Sequence, residues 1–563
     1  MSTLVTDPIR GTSEPGRYWT TTNLGEAVPD VMTPMCWSVW GESAELGWLY
    51  SMYAFGVLPS SKVVVSPDTN DHGLAVFYGR QALNVDAIRK IMADLPGVNP
   101  DDFERDLMGS VRADAPQYKG SLKRLPVILV KAPKALRSTG GELRRKHDEI
   151  YAWWLREVYG PSRGQGTPSG RPIERLTEAR DRFADVFKTH CVWRFIFQGA
   201  QSAITDAAAK AGDPALATQV MSGVGDVNET RMSDDLWRLA HGELGEDEFL
   251  RTWGYHGPNE GNPYTVVWRE DPSRVHSLAR SYASRKSERP RDREERAKQA
   301  GKAAEAKLLA ATSATQRPVM RWLVARSRNI VRTLQVGKAG YLMTLDGARA
   351  AARAFGEEQI AKGNFTDRDD AFFLTVEECV QLDAGQLPGV AEIVAERRRT
   401  REVYKAMKLP VAFRGMPEQV AADEPEDDQE KAAADRAAGR TVEFSGAASG
   451  GGRVEGRARV VLDASADVEL EDGDILVCRF TDPGWAPLMS LADALVIDIG
   501  GSASHGAVVA RELGIPYVIG TEIGTAALRD GDRILVDGIE NVVRVLAPAG
   551  DPTSGELTGN AAG

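Results

Sequence analysis

One histidine stands where covalent phosphate chemistry is possible. The run Gly500-Gly501-Ser502-Ala503-Ser504-His505-Gly506 follows an apolar stretch and opens the amphipathic segment Ala507–Leu513. At such a strand-to-helix turn, a phosphate on His505 meets free backbone N–H groups and the positive end of the helix dipole. Gly500, Gly501 and Gly506 let backbone and substrate come close, and Ser504 suits an N-cap. The same dipole favours the neutral imidazole, which can attack phosphorus. The competing reading is a turn histidine with no chemistry.

A second group of residues suits an acceptor. In Trp253-Gly254-Tyr255-His256-Gly257-Pro258-Asn259-Glu260-Gly261, Gly and Pro punctuate a loop, where catalytic groups often sit. His256 can take a proton from an attacking hydroxyl, and Glu260 can orient His256 or bind the nucleophile. Tyr255 stands beside them as a substrate contact. Fastening the loop is the competing reading. Arg332 and Lys338 could clamp a phosphoryl group, whose transfer needs cations and in-line positioning more than a strong base; a surface helix end is the alternative. Trp19, Trp37, Trp40, Trp48, Tyr50, Tyr53 and Phe55 crowd the N-terminal region. They would line a pocket for an aromatic acceptor, with Trp37 as the chosen contact, or simply pack a core. His72, in a polar turn, and His147 and His276, beside charged helices, read as structural or solvent-facing. Arg511 follows His505 by six residues and faces partly away, which suits an ion pair with Glu512 better than phosphate binding.

Composition bounds the class. The chain has 563 residues, enough for several domains. Its 42% hydrophobic and 26% charged content is ordinary for a globular protein. A net charge of −11 argues against a nucleic-acid partner. No apolar run reaches membrane-span length, and the N-terminus has no signal-peptide core. The four cysteines, Cys36, Cys191, Cys379 and Cys478, are scattered, so they read as reduced thiols of a cytoplasmic protein and not as a metal site. No metal-ligand cluster is evident.

The elements that must position these residues fall into two grammars. Residues 1–416 are mostly helical. Helix patterns cover Ile173–Gly199, Ala200–Ala211, Asp234–Ala240, Asp292–Ala311, Gln316–Leu334, Leu345–Lys362 and Val376–Gln381, with strands at Lys62–Ser66 and Leu74–Tyr78. The charged run Ser284–Lys302 reads as an exposed helix or arm. Residues 417–440, acidic and then Ala-rich, read as a flexible linker. Residues 441–548 alternate short strands with Gly and Asp turns: Arg457–Leu462, Asp474–Phe480, Ala494–Ile499, Pro516–Ile519 and Arg533–Asp537. Helices are expected at Ala507–Leu513 and Pro487–Ala492, and residues 549–563 form a tail. The expected fold is multidomain: a mostly α-helical (α+β) substrate-binding domain followed by a compact α/β swivelling domain.

The His505 stretch, with Gly473-Asp474-Ile475-Leu476-Val477, Thr481-Asp482-Pro483-Gly484-Trp485-Ala486-Pro487-Leu488 and Gly514-Ile515-Pro516-Tyr517-Val518-Ile519-Gly520-Thr521, resembles the mobile phosphohistidine domain of phosphoenolpyruvate synthase, pyruvate phosphate dikinase and rifampin phosphotransferase. The resemblance covers about Thr441 to Pro548. It makes His505 the phosphorylated residue and Gly500, Gly501, Ser504 and Thr481 its loop. A looser resemblance, from about Tyr18 to Gly415, ties the front of the chain to the substrate domains of rifampin phosphotransferase and of phenol-phosphorylating synthases. It rests on Trp19-Thr20-Thr21-Thr22-Asn23-Leu24-Gly25-Glu26-Ala27-Val28-Pro29, on Val31-Met32-Thr33-Pro34-Met35, on Phe77-Tyr78-Gly79-Arg80 with Leu83-Asn84-Val85, and on Asp369-Asp370-Ala371-Phe372-Phe373-Leu374-Thr375. Arg332 and Lys338 match a basic pair of that family. Its acceptor loop reads more like Gly-His-Arg-Gly with a later Glu. Here Tyr255 takes the His place and His256 the Arg place, while Glu260 keeps the acid.

The resemblance implies a phosphohistidine intermediate formed from ATP and Mg2+. No Walker-type phosphate loop or room for an ATP-grasp domain is seen before the front domain, nor a pyruvate-binding barrel after the mobile one. The expectation is therefore a separate ATP-grasp subunit that holds ATP and Mg2+ and phosphorylates His505. By resemblance to phenylphosphate synthase, the group then passes to phenol or a cresol, giving an aryl phosphate with AMP and phosphate. The alternatives are a rifampin-type phosphotransferase acting on an antibiotic or natural-product hydroxyl, and a phosphocarrier without enzymatic activity.

Overall fold

The computed structural model describes residues 7–22, 27–28, 30–95, 98–108, 110–213, 215–284, 288–421, 432, 434, 436, 441–463, 468–501 and 504–549. Most of the expected linker, nearly all of the expected tail, and Ser502 and Ala503 of the histidine loop lie outside the described residues. The chain divides into two compact units, one of residues 1–198, 259–266 and 333–423, the other of residues 199–258, 267–332 and 424–563.

The first unit is helical around a small antiparallel sheet. Its strands lie in the order Leu74–Phe77, Arg80–Asn84, Tyr18–Thr20, Ala412–Arg414. Trp19 pairs with Asn84 on one side and Phe413 on the other, and its indole meets Phe77 edge-on at 5.0 Å. Helix Pro34–Phe55 starts where Thr33 accepts a hydrogen bond from the Cys36 N–H and stops at Gly56 in the left-handed region. Its Trp40 packs edge-on against Phe183, Phe187 and Tyr341, so these aromatic residues build a core. Arg349 and Asp346 form an ion pair of 3.0 Å with both side chains at 0% exposure, and Trp154 Nε1 donates to the same carboxylate at 2.7 Å.

The second unit joins an eight-stranded sheet to a set of helices. The sheet order is Glu443–Ser445, Val542–Ala547, Arg533–Asp537, Arg453–Val461, Asp474–Cys478, Ala494–Ile497, Tyr517–Ile519, Ala448–Gly450. Arg453–Val461, Asp474–Cys478, Ala494–Ile497 and Tyr517–Ile519 are parallel neighbours. Such strands are covered on both faces and read as continuous apolar runs, as Ala494-Leu495-Val496-Ile497 does. Ile475, Val477, Val496, Val518, Ile534 and Val536 form the buried centre. Helix His505–Leu513 is the crossover between Ala494–Ile497 and Tyr517–Ile519. The helical part includes Asn228–Ala240, Glu246–Trp253, Ser273–Ser284 and Pro290–Ala311.

Several elements depart from the sequence expectation. Lys62–Ser66 forms no strand: it follows the short turn Ser60–Lys62, and Val64 is 67% exposed with no edge to pair against. Gln316–Leu334 and Leu345–Lys362 are parts of one helix, Arg317–Ala361. Gly337 and Gly340 look like a break but do not end it. Gly347, farther along, is a contact point, since a Cβ there would sit 2.2 Å from the Trp153 ring. Ile173–Gly199 and Ala200–Ala211 likewise belong to one helix, Pro172–Lys210. Helices Pro34–Phe55 and Leu125–Trp154 were not foreseen.

The four cysteines are free thiols. Burial raises all four pKa values, with Cys191 pushed up to about 12. Among the described residues no helix is long and apolar enough to cross a membrane.

Candidate functional site

His505 is the first residue of its helix. Ser504 is the N-cap, in extended backbone, and its Oγ accepts from the Ala507 N–H at 3.3 Å. Gly514, in the left-handed region, ends the helix two turns later. Before the turn, Gly500 has φ of 143°, a conformation that side chains rarely adopt. Gly506 is needed for close approach: a Cβ would lie 2.6 Å from Ile497 Cδ1 and 2.9 Å from Thr481 Oγ1.

Both ring nitrogens of His505 face partners within the second unit. Nδ1 lies 3.4 Å from Thr481 Oγ1, and Nε2 lies 3.6 Å from Glu229 Oε1. The second distance is a close contact, beyond hydrogen-bond length. The His505 side chain is 7% exposed and that of Glu229 3%. Glu229 sits in the first turn of Asn228–Ala240, where a carboxylate complements the helix dipole.

The Thr481 loop is seated on the same helices. Tyr282 Oη donates to the Pro487 carbonyl at 2.8 Å, and Ser490 Oγ meets Ser233 Oγ at 2.9 Å. Ser233 lies one turn beyond Glu229, so one helix face carries both contacts. Gly484 packs on the Gly257 carbonyl, 2.6 Å from where a Cβ would stand. The loop after Trp253 therefore abuts the Thr481 loop.

Asp498 closes the strand before the histidine turn. It accepts from Thr521 Oγ1 at 2.7 Å and from the Thr525 N–H at 3.1 Å, and burial pushes its carboxyl up. Glu512, on the His505 helix, accepts from the Gly225 N–H at 3.2 Å. Burial pushes Glu512 up to about 7.

The sequence-selected residues divide among these surroundings. His505, Ser504 and Thr481 come together, with Gly500 and Gly501 leading into the turn. His256 is buried in the second unit, its ring among Tyr255, Trp253 and Trp268 at centroid distances of 4.4, 5.9 and 6.0 Å. Arg332 donates from Nε to the Gly225 carbonyl at 2.8 Å and from Nη2 to the Val224 carbonyl, fixing the loop ahead of Glu229. In the first unit, Glu260 is buried and its carbonyl accepts from Arg349 Nη2 at 3.4 Å. Arg349 also donates to the carbonyls of Asn262 and Thr265. Lys338 is half-buried. Burial holds His190 down at about 3, with Arg194 and then Lys338 adding to the shift. The indole of Trp37 is half-buried and lies across Gly41 of its own helix. A cleft of about 490 Å³ in this unit is lined by Lys146, Glu149, Glu178, Asp181 and Asp185, among others, and by none of the selected residues.

Sequence reasoning missed Glu229 and Asp498, and it named Glu512 only as an ion-pair partner for Arg511. Glu229 carries no local signal, being an ordinary acidic residue at a helix start. Asp498 ends an apolar strand just before the glycine pair, and that position was a usable signal. Among the described residues no group of three or more His, Cys, Asp or Glu side chains is arranged to hold a metal ion.

Residues 470–541, which include Thr481 and His505, match the PEP-utilising enzyme mobile domain. Residues 245–333, which include Tyr255, His256, Glu260 and Arg332, match the rifampicin phosphotransferase fourth domain. The chain is similar to the rifampicin phosphotransferase of a Streptomyces species, 38% identical over 200 residues, 35% of this chain and 22% of that protein. It is 55% identical over 95 residues to that of Bacillus cereus, 17% of this chain and 11% of that protein. An uncharacterized phosphotransferase of Bacillus subtilis, YvkC, is 33% identical over 210 residues, 35% of this chain and 24% of that protein. The matched stretch spans about a fifth of the length of the first of these relatives. The chain is thus related to the phosphohistidine-domain phosphotransferases. The comparisons do not support the phenol- or cresol-phosphorylating reading, because those of these relatives with a named substrate are rifampicin phosphotransferases; the rifampin-type alternative fits better.

Proposed function

We propose that this chain carries the acceptor half of a rifampin-type phosphotransferase. His505 receives a phosphoryl group from ATP through an ATP-grasp module and hands it to a hydroxyl of a polyhydroxylated natural product. In this reading the nucleotide and its magnesium belong to that module. The observation that carries the reading is the placement of His505 within the mobile-domain match. It opens a helix and faces Thr481 and a buried carboxylate. His256 and Glu260, inside the fourth-domain match, are the acceptor-loop residues of the proposal, and Tyr255 shapes the same loop.

The helix N-terminus supplies backbone N–H groups to the phosphoryl oxygens, while the Thr481 hydroxyl holds Nδ1 so that Nε2 does the transfer. The chemistry asks mainly for in-line positioning and charge stabilisation. Incubation of the purified chain with a candidate ATP-grasp subunit and β-labelled ATP tests the reading, with rifampicin, phenol and p-cresol as acceptors and His505→Ala as control. Label on His505 that moves to rifampicin supports it. Label that moves only to the phenols overturns the acceptor, and absence of label with a competent partner overturns the intermediate. Label acquired only when the subunit is added in trans supports the separate-subunit arrangement.

A further inference from the structure

We infer that Glu229 is a catalytic residue of the acceptor half-reaction, the carboxylate that takes the proton of the attacking hydroxyl. The inference rests on the proposed function for its reaction and on the geometry around His505 for its residue. Three observations carry it. Glu229 Oε1 is 3.6 Å from Nε2, the nitrogen left to carry phosphate once Thr481 faces Nδ1. Both side chains are nearly withdrawn from solvent, at 7% and 3% exposure, so bulk water is a poor proton acceptor there. The helix that carries Glu229 is fixed against the Thr481 loop by the Ser233–Ser490 contact, and the loop ahead of it is held by Arg332. The helix that carries the carboxylate is therefore held in place, and the Glu229 side chain turns aside to admit the phosphoryl group and the acceptor oxygen, which 3.6 Å does not hold in line.

The step balances without a further reactant. The hydroxyl oxygen bonds to phosphorus as the P–Nε2 bond breaks. The electron pair of that bond stays on Nε2, and the hydroxyl proton goes to Glu229. His256, packed among three aromatic rings, then shapes the acceptor site instead of serving as the base. A carboxylate also disfavours an unaccompanied dianionic phosphoryl group beside it. An acceptor hydroxyl between the two, donating to the carboxylate, relieves that repulsion.

The test separates loading from transfer. The full chain is phosphorylated at His505 with phosphoramidate, which needs no ATP-grasp partner, and transfer to rifampicin and to methanol in large excess is followed by 31P NMR. Glu229→Gln is expected to load like the wild type yet transfer about 100-fold more slowly. Glu229→Asp keeps the carboxylate one methylene back and is expected to recover part of the rate. A glutamine variant that transfers at the wild-type rate overturns the inference. If wild type transfers to methanol but not to rifampicin, the rifampin-type acceptor fails while the methanol comparison still decides Glu229. If the glutamine variant loads poorly, the aspartate variant decides, and a rate no better than that of glutamine overturns the role.

Discussion

Glu512 Oε2 accepts a hydrogen bond from the Gly225 N–H at 3.2 Å, tying the last turn of the His505 helix to the loop that precedes the Glu229 helix. The Gly225 and Val224 carbonyls of that loop are held in turn by Arg332. Burial raises the Glu512 carboxyl to about 7, with the nearby Glu294 adding to the shift and Arg511 opposing it. The folded form therefore keeps a proton that the unfolded chain releases near its ordinary value of 4.5. Stability conferred by this group is full below the unfolded value and is lost as pH rises through about 7.

Glu512→Gln should flatten that slope. Denaturant unfolding between pH 4.5 and pH 8 is expected to show the variant more stable than wild type at the alkaline end, by roughly 3 kcal/mol at most. Identical slopes for the two proteins would refute the assignment. Part of the slope should persist, because burial also raises Asp498 and Glu294.

Thr481→Val removes the hydroxyl at 3.4 Å from His505 Nδ1 while keeping the side-chain volume. Phosphorylation of His505 should slow by about tenfold, the cost of losing one positioning contact at a reacting group. The thermal midpoint should move little. Quench-flow labelling of His505 reads the rate, and an unchanged rate would show that Nδ1 is oriented by something else.

Gly506→Val asks the His505 turn to accept bulk where a Cβ alone would already sit 2.6 Å from Ile497. Overpacking of this kind costs about 1–3 kcal/mol. Urea unfolding should report that loss, and His505 labelling should fall because the added methyls press on Thr481.

Arg349→Met leaves Asp346 charged at 0% exposure, with the Trp154 indole as a remaining partner. Breaking one side of a buried pair typically costs about 3–5 kcal/mol. The same change removes the Arg349 donors to the carbonyls of Glu260, Asn262 and Thr265, so backbone amide exchange should rise across 259–266. The double variant with Asp346→Leu should be less damaged than the single one. A double variant as unstable as the single would show that the pair is not what holds this loop.

The mobile domain was the legible part of the chain. Its strands are short apolar runs bounded by Gly and Asp, and Arg533–Asp537 appears with the bounds the pattern predicts. Strand Val542–Ala547 escaped notice because it follows a turn with no glycine beyond Gly538. The helical front was less legible. Pro34–Phe55 mixes aromatic, small and charged residues with no dominant apolar face, because its neighbours bury it from several sides. At the site, His505, Ser504 and Thr481 were readable because one local turn gathers two of them and a parallel strand neighbour delivers the third. Glu229 lies 276 positions away from His505 and reaches it only through tertiary packing.

The free thiols have a practical consequence for testing the proposed movement of the histidine domain. With every cysteine held well above the thiolate-forming range, the native chain offers little for maleimide or iodoacetamide chemistry near neutral pH. A pair of cysteines introduced at exposed sites, one near the exposed Ile539 and one near the exposed Trp322, would be selectively labelled against a silent background. Fluorescent reporters placed there would test in single molecules whether the histidine makes the proposed excursions, without first stripping the natural cysteines from the protein.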